Sequence, residues 1–363
     1  MDYSWSLFLA LAAAVFGSLK GLTAIMFPGL FVDLGFCLLS VVLADLLVKL
    51  LVNTVPRRLL PGLGDRAVLI TGCDSGFGQL CARRLDALGA PVLAGCLRPD
   101  GEGAATLRAS CSPRLTVLPL DVTNERQVGD AVRLAEHVLQ GRGLWAVINN
   151  AGIGAVGEVD WSRVELLQQV MDVNAIGVVR VTKAFLPMIK RSKGRIVCLS
   201  SQAGSFPTFG MSYYAMSKSA VQAFVESLRR EMRKWSVSVH GIEPSVFKTA
   251  ITSSKNIDNM LTETWKSCPK DTQSAYGEEY IKTCEEKLNS SRDLFISDRL
   301  HVVVDDMVDA ALGLTPKMIY VPGLFQQFLT WGINTLPRTF LDLIHDLVLQ
   351  MKKKPAALET ANK

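Results

Sequence analysis

Tyr214 and Lys218 stand four positions apart, so on a helix both side chains leave the same face. A phenol, with an ordinary pKa of about 10, is a poor base at neutral pH, but a nearby ammonium favours the phenolate, at about 1.4 kcal/mol for each tenfold rise in the phenol's acid constant. That pairing makes Tyr214 a usable general base. Ser201, a short distance before them, can hold an oxygen of a bound molecule by a hydrogen bond. A second group lies far upstream in Thr71-Gly72-Cys73-Asp74-Ser75-Gly76-Phe77-Gly78. Glycines in such a turn let the backbone approach a pyrophosphate, which unpaired N–H groups and the dipole of a following helix stabilise. Each feature alone has an ordinary explanation: a capped turn for Ser201, a core residue for Tyr214, a tight turn for the glycines. The ordinary explanations do not account for the set.

These residues need a scaffold that brings distant segments to one edge. From residue 65 onward, short β-branched runs alternate with helical periodicity, the pattern of a parallel sheet with crossover helices. Strands are predicted at residues 67–71, 91–96, 115–118, 144–149, 195–200 and 237–242, with a short one at 318–321. The fold class expected is α/β, a Rossmann-type doubly wound parallel sheet with flanking helices. One long helix is predicted over 163–190 and another, apolar on one face, over 212–234. Residues 249–300 read as an insertion beside the carboxyl ends of the strands, where such folds bind ligands. Residues 323–363 form an apolar stretch and a basic tail. The apolar part reads either as a helix completing the core or as a lipid-touching rim at a substrate entrance.

The chain has 363 residues, 49% hydrophobic and only 20% charged, which excludes a disordered protein. Its apolar excess lies at the front. Two segments meeting at Pro28-Gly29 are each long enough to cross a bilayer, if Lys20 and Asp45 snorkel or pair. Residues 1–55 are therefore expected to be a membrane anchor of one or two spans, followed by a linker over 56–64. A cleaved signal peptide is the alternative, but no basic stretch precedes the apolar run. Arg57 and Arg58 follow the second segment, which predicts a cytosolic body by the positive-inside tendency. The sequon Asn289-Ser290-Ser291 gives that orientation a test, since glycosylation needs a luminal site. Without its two ends the chain is nearly neutral, so its net charge of +5 does not suggest a nucleic-acid partner. Eight cysteines lack a regular spacing and read as reduced and mostly buried. Four scattered histidines give no metal-ligand spacing, and no metal is expected.

The ordered set of the glycine turn, Asp121-Val122, Asn149-Asn150-Ala151-Gly152, Asn174, Ser201 and Tyr214 with Lys218 resembles the short-chain dehydrogenase/reductase superfamily. Leu93-Ala94-Gly95-Cys96-Leu97, residues 143–152 and Tyr276-Gly277-x-x-Tyr280 resemble its membrane-associated branch of retinol, hydroxysteroid and 3-hydroxybutyrate dehydrogenases. The resemblance covers about three quarters of the chain, residues 65–344. It implies a membrane-bound NAD(P)-dependent enzyme of the endoplasmic reticulum that oxidises a lipophilic alcohol, a hydroxysteroid or retinol, to the carbonyl. A 3-hydroxybutyrate-type dehydrogenase, or a cofactor-binding scaffold without turnover, are the alternatives. The resemblance assigns Ser201, Tyr214, Lys218 and Asn174 to catalysis, with Asn174 anchoring a water that links Lys218 to solvent. It assigns Gly72, Asp74, Ser75, Gly76, Phe77, Gly78, Arg98, Asp121, Val122, Asn149, Ala151, Gly152 and Thr249 to the cofactor, together with Tyr214 and Lys218. It also implies a homodimer through the long helices. On the second strand, no acid stands at the end to grip a ribose 2′-hydroxyl, and Arg98 suits a 2′-phosphate. Asp74 would repel that phosphate, so NAD is favoured over NADP. Where the family has Pro-Gly, this chain has Pro244-Ser245, and the added side chain is expected to crowd the nicotinamide.

Overall fold

The structure is a computed structural model; it describes residues 56–349 and 355–360, with a few scattered positions before them. The expected membrane anchor, residues 1–55, lies almost wholly outside the described residues. Among the described residues no helix is long and apolar enough to cross a membrane.

Seven strands form one sheet: β1 (Val68–Thr71), β2 (Val92–Cys96), β3 (Leu115–Pro119), β4 (Ala146–Asn149), β5 (Arg195–Leu199), β6 (Ser238–Ile242) and β7 (Ile319–Tyr320). Their spatial order is β3-β2-β1-β4-β5-β6-β7, and every pairing is parallel. The order reverses between β1 and β4, the place where open α/β sheets leave a crevice at the strand ends. Strands such as Val68–Thr71 and Val92–Cys96 are buried throughout, because helices cover both faces. Alternation along each strand sorts its residues. Leu69, Val147, Ile196 and Val239 face a layer formed by α3 (Glu125–Leu139), α5 (Gly177–Ser192) and α7 (Ser212–Met232). Val68, Ile70, Ile148 and Val197 face the opposite layer, formed by α1 (Gly76–Ala87), α2 (Glu102–Ser110) and α11 (Leu300–Leu312).

The helix expected over 163–190 is interrupted. It divides into α4 (Val164–Met171) and α5, joined by a π-helical turn over Asp172–Ile176. A π-turn adds a residue without disturbing the coarse apolar period, so that period could not reveal it. The insertion folds as α8 (Ser254–Lys266), α9 (Lys270–Tyr276) and α10 (Glu278–Phe295), which follow the short α6 (Gln202–Ser205) and α7 in chain order. These three helices build a small core of their own around Val156, Trp161, Leu261 and Cys268. Pro337 divides the apolar C-terminal stretch into α12 (Leu324–Thr335) and α13 (Arg338–Leu349); α14 (Ala356–Thr360) follows. Asn289 of the sequon lies within α10, where its Nδ2 donates to Asp258 Oδ1 at 2.9 Å.

Candidate active site

The glycine turn leaves β1 and enters α1 at the reversal point of the sheet. Gly72 has φ +71°, and a Cβ on it would stand 2.9 Å from the Ala151 Cα; Gly76 has φ +58°. A Cβ on Gly78 would run into the Gly72 carbonyl. Gly72 and Gly78 therefore have no room for a side chain, and Gly76 favours glycine through its left-handed backbone. Ser75 caps α1 in an extended conformation and is exposed, with no side-chain cap bond, so the first N–H groups of the helix remain for a ligand. Asn150, which sequence reasoning did not single out among the site residues, holds this turn in place. Its Nδ2 donates to the Thr71 and Gly72 carbonyls at 2.8 and 3.0 Å. The Asn150 and Ala151 N–H groups both donate to Thr71 Oγ1 at 3.0 Å. Phe77 packs edge-on against Phe247, with ring centroids 5.8 Å apart, and the Thr249 methyl lies 3.8 Å from where a Gly76 Cβ would stand.

Asp74 spans from this turn to the end of β2. Its two carboxylate oxygens accept from the Leu97 and Arg98 N–H groups, both at 2.9 Å, so negative charge is fixed there while the Arg98 side chain is exposed. After β3, Asp121 Oδ1 accepts from Thr123 N–H and Oγ1, and the Val122 carbonyl accepts from Arg180 at 2.6 Å.

Ser201, at the end of β5, sits against Tyr214 on α7; the serine hydroxyl hydrogen-bonds the phenol. Burial raises the Tyr214 phenol above its ordinary 10, and the Ser201 bond partly offsets that. Lys218 Nζ donates to the Leu199 carbonyl at 3.0 Å and lies 5.7 Å from the centroid of the Tyr214 ring. Burial lowers the Lys218 ammonium from 10.5 to about 8. A Cβ on Gly152 would stand 3.6 Å from that Nζ and 3.3 Å from Asn174 Oδ1. Asn174 occupies the π-turn and is fully buried. Its Oδ1 accepts from Ile153 N–H at 2.8 Å, and its Nδ2 donates to the Ile153 carbonyl at 2.9 Å and to Ser217 Oγ at 3.0 Å.

Asn149 is the exception among the sequence-selected residues. Its side chain turns away from the glycine turn into the layer under the sheet, where Nδ2 donates to Thr182 Oγ1 at 3.0 Å and meets Cys198 Sγ at 3.6 Å. Strand alternation held the signal: Asn149 must share the inward face of Val147, two residues before it. Sequence reasoning also passed over a pair behind Ser201, half-buried Gln222 and buried Glu243. Gln222 Nε2 donates to the Ser201 carbonyl at 3.2 Å and to Ser205 Oγ at 3.0 Å, and Gln222 bonds the carboxyl of buried Glu243. No motif marks either residue.

The inserted helices are tied to the loop after β4. Tyr280 donates to Glu158 Oε1 at 2.7 Å and Tyr276 hydrogen-bonds Asp160; from α7, Tyr213 holds the same loop by donating to the Ser162 carbonyl at 2.9 Å. On the other flank Gln202, next to Ser201, donates to Thr330 Oγ1 of α12 at 3.0 Å. That helix leaves Phe325 and Phe328 more than two-thirds exposed.

A doubly wound parallel sheet with a glycine turn at its reversal point and a serine-bonded phenol beside a buried ammonium defines an oxidoreductase of the dinucleotide-binding class. The chain belongs to the short chain dehydrogenase family, which matches residues 66–260. Estradiol 17-beta-dehydrogenase 2 of Mus musculus is 37% identical over 90% of this chain and 88% of its own length. Retinol dehydrogenase 16 of Homo sapiens is 37% identical over 79% of this chain and 90% of its own. A short-chain dehydrogenase from Streptomyces avermitilis shares the fold with a TM-score of 0.60, at 22% identity, over 78% of this chain and 97% of that one.

Proposed function

We propose that this protein is a NAD(P)-dependent alcohol dehydrogenase that oxidises a lipophilic hydroxyl, a hydroxysteroid or retinol, to its carbonyl at a bilayer surface. The observation that carries it is the contact of Ser201 with Tyr214, beside Lys218 and at the mouth of a turn in which Gly72 and Gly78 leave no room for side chains. The glycine cradle fits a pyrophosphate: two positions where a Cβ is excluded, Gly72 and Gly78, and a third at positive φ, Gly76, face an uncapped helix start. Gly72, Ser75, Gly76 and Gly78 would hold that group, with Thr249 across the turn. Bound NAD(P) supplies the acceptor for the hydride. Ser201 holds the substrate oxygen, and Tyr214 Oη takes the hydroxyl proton as the carbon gives up its hydride. The Lys218 charge, close to the phenol ring, works against the burial that raises the phenol, while Asn174 fixes the loop carrying Gly152 against them.

Asp74 favours NAD, because its carboxylate stands at the end of β2 where a 2′-phosphate would lie. The names of the relatives support a steroid or retinoid, and the exposed Phe325 and Phe328 beside the Ser201 segment support entry from an apolar phase. The apolar front segments support anchoring in the endoplasmic reticulum membrane with a cytosolic body. Ile176 and Met216, exposed along a groove between α4 and α7, support a homodimer. The test is the full-length protein in detergent with NAD and with NADP, against a hydroxysteroid, retinol and 3-hydroxybutyrate. Oxidation of the hydroxy acid alone overturns the lipophilic assignment, and cofactor binding with no turnover of any substrate overturns the enzyme.

A further inference from the structure

Ser245 stands where the chain passes between the two halves of the site. Its neighbour Pro244 accepts from the Ser201 hydroxyl at 3.3 Å and from Gln202 N–H at 3.0 Å. Two residues onward, Phe247 packs on Phe77 of the glycine turn, and Thr249 faces Gly76. The segment 244–249 thus joins the residue that holds the substrate oxygen to the turn that cradles pyrophosphate. Ser245 Oγ is buried and, among the described residues, has no hydrogen-bond partner. The backbone does not account for this residue, since Ser245 is not among the positive-φ positions and is under no conformational demand. A buried hydroxyl without a partner disfavours the free protein and calls for an explanation. A ligand that supplies the missing partner is one.

We propose that Ser245 Oγ hydrogen-bonds the nicotinamide riboside half of the bound dinucleotide. The inference rests on the NAD(P) reading above. The part of a dinucleotide that spans from its pyrophosphate to the reacting carbon is the nicotinamide riboside, whose carboxamide and ribose hydroxyls are all hydrogen-bonding groups. Ser245 therefore adds a contact at the place where crowding is the expectation from sequence.

The two effects separate by experiment. Full-length protein in detergent is titrated with NADH, with NADPH and with ADP-ribose, which lacks the nicotinamide, following ligand or tryptophan fluorescence. Ser245→Ala and Ser245→Gly are each expected to weaken the tighter-binding reduced cofactor by about five-fold, the equivalent of one ordinary hydrogen bond, with ADP-ribose affinity unchanged. Without ligand, Ser245→Ala is expected to unfold at a higher urea concentration than the parent. If Ser245→Gly tightens the reduced cofactor, the side chain only occupies space and the proposal fails. It fails equally if the alanine variant binds like the parent, if ADP-ribose weakens in step, or if the alanine variant is the less stable protein. A parent that binds neither NADH nor NADPH overturns the dinucleotide reading itself, a result distinguishable from all of these.

Discussion

Lys218 Nζ lies 5.7 Å from the centre of the Tyr214 ring while it donates to the Leu199 carbonyl at the end of β5. One turn of α7 separates the two residues, so the helix itself sets the pairing. Burial acts on both in opposite directions: it holds the proton on the phenol and eases the proton off the ammonium, to about 8. Tyr214→Phe is expected to lower kcat for alcohol oxidation by roughly 10²–10⁴-fold, the usual worth of a general base, while NADH binding stays within about two-fold. Oxidation by the parent is expected to quicken as pH rises from 6 towards 8, because the phenolate fraction grows. Steady-state rates across that range check both. A phenylalanine variant as fast as the parent removes Tyr214 from the chemistry.

The fold was legible because its strands are short, continuous apolar runs that only a sheet covered on both faces can bury. Val68–Thr71 and Arg195–Leu199 were visible for that reason. The residues at strand ends followed, since a strand-turn-helix pattern places Gly72 and Ser201 at one edge. Direction was harder. Asn149 and Asn150 are adjacent, and only the pleat decides that the second reaches the glycine turn while the first enters the core. Gln222 and Glu243 were invisible because their pairing joins α7 to β6 across tertiary space, with no local pattern.

Asn174 closes both polar groups of the Ile153 backbone, which no helix or strand satisfies. Its amide is matched to that task, with an acceptor for the N–H and a donor for the carbonyl. Asn174→Leu keeps much of the volume and leaves two buried backbone groups unpaired. The expected cost is roughly 2–5 kcal/mol of unfolding free energy, read from urea denaturation. Asn174→Asp retains the acceptor but places a carboxylate against the Ile153 carbonyl, and is also expected to destabilise. A leucine variant as stable as the parent would show that the loop after β4 is held elsewhere.

Asp74 bonds the N–H groups of Leu97 and Arg98, which fixes its charge at the end of β2, the place proposed above for the adenosine ribose. Parent protein is expected to bind NADH more tightly than NADPH. Asp74→Ser keeps a hydrogen-bonding oxygen for the turn and removes the charge, which leaves the exposed Arg98 to meet a 2′-phosphate. The preference is expected to move towards NADPH by at least about ten-fold, or roughly 1.4 kcal/mol. Fluorescence titration with both cofactors measures the ratio. An unchanged ratio would locate the discrimination outside this carboxylate.

Glu243 gives the fold a pH dependence of definite sign. Burial raises its carboxyl from 4.5 to about 7, against a smaller opposing effect from the Gln222 bond and with nearby Glu226 adding to the rise. The folded protein therefore keeps a proton that the unfolded chain releases, so this group's stabilisation is complete below 4.5 and is lost as pH climbs to about 7. His240 works the other way. Its ring is buried between the Lys317 carbonyl and Ser238 Oγ, its pKa is lowered from 6.5 to about 4, and its share of stability grows as pH rises through that window. In the parent the two trends oppose each other between 4.5 and 6.5, which hides both. Glu243→Gln removes one of them. The variant is expected to gain on the parent progressively from pH 5 to pH 8, by up to about 3 kcal/mol in unfolding free energy. Urea unfolding of both proteins at several pH values measures that difference directly, because the His240 contribution cancels. Parallel curves for the two proteins would mean that Glu243 ionises in the fold as it does in water, and that the pair behind Ser201 is not the proton-holding element described.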